Sequence, residues 1–125
     1  MHSAAQAYTQ TAKTTASPRE LEAQLLLRAA ARLQGVFEGR TTLPGEIDQA
    51  LRFNRKLWTV LATSATAPQN PLPHAIKQNI GTLAIFVLRV TMENEIKLAT
   101  ERLRPLININ CEIAAGLSYS APAAA

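Results

Sequence analysis

Apolar positions along this chain recur at intervals of three and four, and no segment alternates with the period of two that a half-buried strand requires. At roughly 100° per residue, Leu21, Leu25, Leu26, Ala29, Ala30, Leu33, Val36 and Phe37 share one face. The start of this segment is a helix signal. Ser17 can accept from an orphan backbone N–H, Pro18 sits where its missing N–H costs nothing, and Glu20 completes a capping box. Helix one is predicted over residues 18 to about 37, ending before Gly39. Helix two is predicted from about residue 44 or 46 to 66. Ile47, Leu51, Trp58, Leu61 and Ala65 form a heptad-like stripe flanked by Phe53, Leu57 and Val60, and Asp48, Arg52, Arg55, Lys56, Thr59 and Thr63 fill its other half.

Residues 67–73 hold three prolines, which push their predecessors to extended geometry, and Pro73 is placed to open helix three. That helix is expected to run to about residue 100 or 102. Pro105 then ends or kinks it and opens helix four, which reaches Leu117 with Gly116 near its end. Residues 1–16 carry a weaker pattern, with Ala4, Ala5, Tyr8 and Ala12 at helical spacing, and predict a short helix or arm. Residues 118–125 are Ala-rich and read as a disordered tail. The expectation is one all-α domain over residues 1–117, a small bundle of four main helices.

Helix three carries two apolar stripes. Ile76, Ile80, Leu83, Val87, Val90 and Leu98 form one; Gly81, Ile85, Leu88, Met92 and Ile96 form another about half a turn round. A helix apolar on opposite faces must be covered on both. Periodicity alone favours a central helix, with others of the same chain on each side. The other reading is that one stripe lines a groove for an amphipathic helix from a partner, where Gly81 would admit a close backbone and Met92 would adapt its shape. Leu27 points away from the helix-one stripe, among Glu20, Gln24 and Gln34, and offers a second apolar contact point.

Polar residues inside the stripes need partners, because a buried amide left unpaired costs about 1–3 kcal/mol. Asn54 lies between Leu51 and Trp58, Asn110 lies among Leu106, Ile107, Ile113 and Leu117, and Glu22 lies between Leu25 and Ala29. They are expected to bond to one another, to backbone or to a cation, fixing helix register. Trp58 is expected in the core.

At 125 residues the chain can build one hydrophobic core. A single cysteine, Cys111, excludes an internal disulfide and fits a reducing compartment. The first fifteen residues lack the apolar stretch of a signal peptide, and the run over residues 80–90 is far short of the roughly 20 apolar residues that span a bilayer. A cytoplasmic protein is expected. Chemistry is thinly represented. His2 and His74 have no ligand-spaced companion, Glu93 and Glu95 fall on different helix faces, and no Gly-rich phosphate loop is present. No enzyme, metal, cofactor or small-molecule substrate is expected.

The net charge of +4 fits an acidic partner or nucleic acid without requiring either. Arg52, Arg55 and Lys56 on one face of helix two, with Arg28 and Arg32 one turn apart on helix one, are the candidates for such a face. Only 5% of residues are aromatic, which argues against RNA reading by base stacking.

Several pieces, in this order and spacing, resemble the FlaF family of flagellar proteins. They are Ala7 with Tyr8; Ser17 through Ala23; Leu27 through Leu33; Asn54, Arg55, Lys56, Leu57 and Trp58; Asn70, Pro71, Leu72 and Pro73; Gln78 with Asn79; and Ile107 through Asn110 to Gly116 and Leu117. The resemblance implies a cytoplasmic partner of flagellin, required for flagellin production in alphaproteobacteria and paired with FlbT, a negative regulator of flagellin synthesis. It implies a flagellin-binding secretion chaperone that hides the amphipathic terminal helices of flagellin before export; the candidate contacts, Gly81, Ile85, Leu88, Met92 and Leu27, come from the helix periodicity and not from the resemblance. That implication tilts the expectation for helix three toward an exposed second stripe. The alternative it implies is a regulator of flagellin mRNA translation, acting through Arg52, Arg55 and Lys56 or through FlbT. No catalytic residues come with the family.

Overall fold

The computed structural model describes residues 17–118. They form α1 (Pro18–Phe37), α2 (Pro44–Thr66), α3 (His74–Ile96), a 3-10 turn (Thr100–Arg102) and α4 (Leu103–Ser118), with no strand among them. The all-α expectation holds. Ser118 closes α4, so the predicted tail starts no earlier than residue 119; its remainder and the predicted N-terminal arm over 1–16 lie outside the described residues.

The helix ends follow from local chemistry. Glu20 N–H donates to Ser17 Oγ at 3.2 Å, and Pro18 occupies the first turn. α1 stops because Gly39 takes a left-handed conformation, φ +76°, that turns Arg40 N–H back onto the Gly35 carbonyl at 2.9 Å. The proline link between α2 and α3 is tied rather than loose. Asn70 donates to the Ser64 carbonyl and accepts from Leu72 N–H, and Lys77 Nζ donates to the carbonyls of Ala67 and Asn70.

α3 is shorter than its periodicity predicts. It ends at Ile96, four or more residues early, because Asn94 competes with the helix for backbone partners. Its Nδ2 donates to the Val90 carbonyl at 3.0 Å and its Oδ1 accepts from Ala99 N–H at 2.7 Å. Lys97 is extended (φ −145°, ψ 112°), which removes Leu98 from the apolar stripe assigned to it and leaves it exposed. α4 in turn begins two residues before Pro105, which is accommodated within the first turn where its missing donor is harmless.

The helices pack as two antiparallel pairs. Arg55 near the middle of α2 meets Glu95 at the end of α3, while Thr66 at the end of α2 lies beside Gly81 near the start of α3, so the two helices run in opposite directions. α1 pairs as extensively with α4, where the Arg104 guanidinium lies 4.8 Å from the Phe37 ring. The core between the pairs is built from Leu26, Leu33, Leu51, Trp58, Ile80, Val87, Leu103 and Leu106, all fully buried. Ala50 and Asn54 face it where the sequence places them on or beside the α2 stripe, while Val60, expected at its flank, is 66% exposed.

A polar relay crosses this core. Trp58 Nε1 donates to Asn110 Oδ1 (2.8 Å), Asn110 Nδ2 donates to Asn54 Oδ1 (2.8 Å), Asn54 Nδ2 donates to Thr91 Oγ1 (3.2 Å), and Thr91 Oγ1 donates to the Val87 carbonyl (2.6 Å). Each member is buried, and the relay ties α2, α3 and α4 together at one level. No buried side-chain nitrogen or oxygen among the described residues lacks a partner. The expectation that Asn54 and Asn110 bond to each other is met, and a one-residue slip of any of the three helices would orphan several groups at once.

Candidate partner-binding face

α3 rests on α2 along one side, touches α4 lightly, and has no described helix on its far side. Among the described residues the central-helix expectation is not met. A bundle of two antiparallel pairs places every helix at a corner, and each corner has one face toward solvent. On α3 the inner face is Ile80, Ala84, Val87, Val90, Thr91 and Asn94. The outer face is the second apolar stripe: Ile85 is 73% exposed, Met92 51% and Ile96 88%, with Leu88 and Gly81 half-buried.

From Gly81 to Met92 these residues step by four, three and four, the spacing of a coiled-coil seam, and Ile96 follows one further turn on. Leu88, Met92, Glu95 and Ile96 of α3 and Arg55 and Thr59 of α2 line an open groove of about 430 Å³. At Gly81 a side chain would meet only the Thr66 methyl at 3.9 Å, an ordinary contact. The packing of the chain on itself thus gives no reason for glycine there, and the residue leaves a notch at one end of the stripe. Leu27 is 49% exposed on α1 and is not among the residues of this groove.

The basic face is largely neutralised. Arg52 pairs with Asp48 at 2.9 Å, one turn earlier on α2, and Arg55 Nε donates to Glu95 Oε1 at 2.7 Å. The hydrogen bond and charge of Glu95 hold the Arg55 guanidinium still more firmly in its charged form. Lys56 is exposed beside them. Arg32 lies 4.6 Å from the Phe53 ring, as a lid on a half-buried aromatic rather than a free cation. The role of Arg55 in walling the groove was not readable in the sequence, because Glu95 stands 40 positions away.

A second concavity, about 460 Å³, lies where the N-terminus of α1, the proline link and the end of α4 meet. Ser17, Arg19, Glu22, Asn70, Leu72 and Leu117 line it, and Arg19 donates to the Pro71 carbonyl at 3.4 Å. Three separated pieces of the sequence pattern converge at this end of the bundle. Burial pushes the half-buried Glu22 carboxyl above its ordinary range, with Arg19 opposing. Among the described residues no group of three or more His, Cys, Asp or Glu is placed to hold a metal ion. His74 and Cys111 are both exposed. No described helix is long and apolar enough to cross a membrane.

In class this is a small all-α protein of two helix pairs, with a rigid polar relay inside and one heptad-spaced apolar helix face uncovered among the described residues. The chain belongs to the family of the flagellar protein FlaF, whose model matches residues 4–117. That span takes in α1, α2, α3 and all of α4 but its last residue, Ser118. Comparison with curated proteins and with solved structures gives no match.

Proposed function

We propose that this flagellar protein binds flagellin as a secretion chaperone, laying one amphipathic terminal helix of flagellin along the outer face of α3 and coupling flagellin synthesis to export. The observation that carries the reading is the stripe of Ile85, Leu88, Met92 and Ile96, apolar and largely exposed at coiled-coil spacing. An amphipathic helix docks through side chains at i, i+3, i+4 and i+7, and this face presents the complementary ridge. A helix whose apolar stripe would otherwise polymerise or aggregate is the ligand for which such a face is suited.

Co-purification of the protein with intact flagellin, and with flagellin lacking its terminal helices, tests the reading. Capture of the intact form alone is expected; equal capture of both, or of neither, overturns it. Action on flagellin mRNA through Arg52, Arg55 and Lys56 is less well supported, because two of these three charges are already matched by carboxylates of the same chain. Regulation through FlbT does not need those charges to be free.

A further inference from the structure

We infer that, in the absence of another helix, the outer face of α3 is covered by the same face of a second copy of this chain, the two α3 helices running antiparallel about a two-fold axis at the middle of the stripe. The stripe runs from Ile85 to Ile96 at its exposed apolar ends, so its midpoint lies between residues 90 and 91. An axis there sets Ile85 against Ile96 of the second copy, and Ile96 against its Ile85. Leu88 and Met92 fall between, interleaved with their counterparts.

Charge selects the same register. Arg89 and Glu93 stand one turn apart on the same flank of the stripe, and a two-fold axis perpendicular to both helices keeps like flanks together. With the axis at mid-stripe, Arg89 comes within about one residue of rise, ~1.5 Å, of the level of Glu93 of the second copy. The pair is formed twice. Within one chain, Arg89 Nε lies 3.8 Å from Glu93 Oε1, beyond hydrogen-bond range, and both side chains are largely in solvent. Glu93 keeps its other oxygen on Arg102 at 3.1 Å, which holds the carboxylate at the rim of the stripe. A parallel pairing would instead put the two Arg89–Glu93 flanks on opposite sides of the seam, where neither ion pair between the copies could form.

The extent of the contact fixes its strength. A stable interface takes roughly 800 Å² from each partner, and one helix face with four apolar side chains supplies less. The dimer is therefore weak and in exchange, so a flagellin helix can displace it. The inference shares its surface with the flagellin reading but does not rest on it.

Sedimentation equilibrium of the full chain, from low micromolar to sub-millimolar concentration, tests it. A monomer–dimer equilibrium is expected, and Ile85→Glu should weaken it at least tenfold while circular dichroism stays unchanged. Arg89→Glu alone sets carboxylates against one another across the axis, and Glu93→Arg alone sets guanidinium groups against one another, so each variant should be monomeric. An equimolar mixture of the two variants should dimerise again, because every facing pair is then of opposite sign. Damage to the fold could not be repaired by mixing. A wild-type chain that stays monomeric throughout, a dimer indifferent to Ile85→Glu, or a mixture that fails to reassociate would each overturn the inference. Displacement of the dimer by a flagellin terminal-helix peptide reads the flagellin proposal separately.

Discussion

The two faces of α3 are nearly equal in apolar content and opposite in fate. Its inner face, Ile80, Ala84, Val87 and Val90, is sealed against α2 and the core, and carries Thr91 and Asn94 as buried polar members, each of whose side-chain polar atoms has a partner. Its outer face, Ile85, Leu88, Met92 and Ile96, has no described neighbour to cover it. The inner face is polar where it must be specific and the outer face is apolar where it is wet, the reverse of the usual distribution. Hydrophobicity along one helix therefore does not say which stripe is core. The polar residues say it, since a buried Thr91 or Asn94 makes sense only where partners meet it, Asn54 of α2 for the one and the backbone of Val90 and Ala99 for the other.

The sharpest way to break the inner arrangement is at Trp58, which is fully buried and donates the first bond of the relay. Trp58→Ala should destabilise the fold by about 3–5 kcal/mol, from the cavity and the lost transfer of the ring. Chemical denaturation would measure it, and a stable Trp58→Ala variant impaired only in flagellin capture would show that the ring serves binding and not the core. Asn110→Ala comes next. It removes the acceptor of Trp58 Nε1 and the donor to Asn54 Oδ1, leaving two buried groups unpaired. A loss of at least about 2 kcal/mol is expected, at roughly 1–3 kcal/mol for each of the two orphaned groups. If Asn110→Ala were neutral, the relay would not set the helix register.

On the outer face the signs change. Gly81→Ala should stabilise the monomer by about 0.5–1 kcal/mol, since the added methyl meets nothing closer than 3.9 Å and the unfolded chain loses freedom. Its thermal midpoint should rise by a few degrees; a fall would mean that the notch is occupied in the free protein. Ile85→Glu should be the smallest change in stability, within about 0.5 kcal/mol, because the side chain is 73% exposed. Yet a flagellin pull-down with Ile85→Glu should fail, since docking would bury a carboxylate against an apolar helix. A variant that melts early would place Ile85 in the core and move the binding face elsewhere, with exposed Leu27 the next candidate.

Much of the fold was legible in the sequence because its signals are local. The starts at Ser17 and Pro18, the stop at Gly39, the break over 67–73 and the faces of α1 and α2 each depend on residues a few positions apart. The errors have equally local causes of another kind. α3 stops at Ile96 because one amide, Asn94, finds better partners in Val90 and Ala99 than the helix offers, and periodicity has no term for that competition. Of the candidate site, the stripe of Gly81, Ile85, Leu88 and Met92 was readable as a stripe, while Arg55 and Thr59 of α2 as its neighbours across the groove were not.

The sequence by itself determined the class of the protein: one all-α chain, four helices in order, Trp58 and the two asparagines on core faces, and a pattern that places it with the flagellar protein FlaF. Those properties follow from spacing, capping and breaking residues, which act through the backbone of their own neighbours. Only the tertiary structure decided which of two equally apolar faces of α3 is closed, that Arg55 is held by Glu95 rather than free, and that Asn54, Asn110 and Thr91 meet at one level. The hydrogen-bonded pairs among these stand 37 to 56 positions apart. Such pairs are fixed by how two helix hairpins pack, and no local rule on a single helix can anticipate the partner that packing brings.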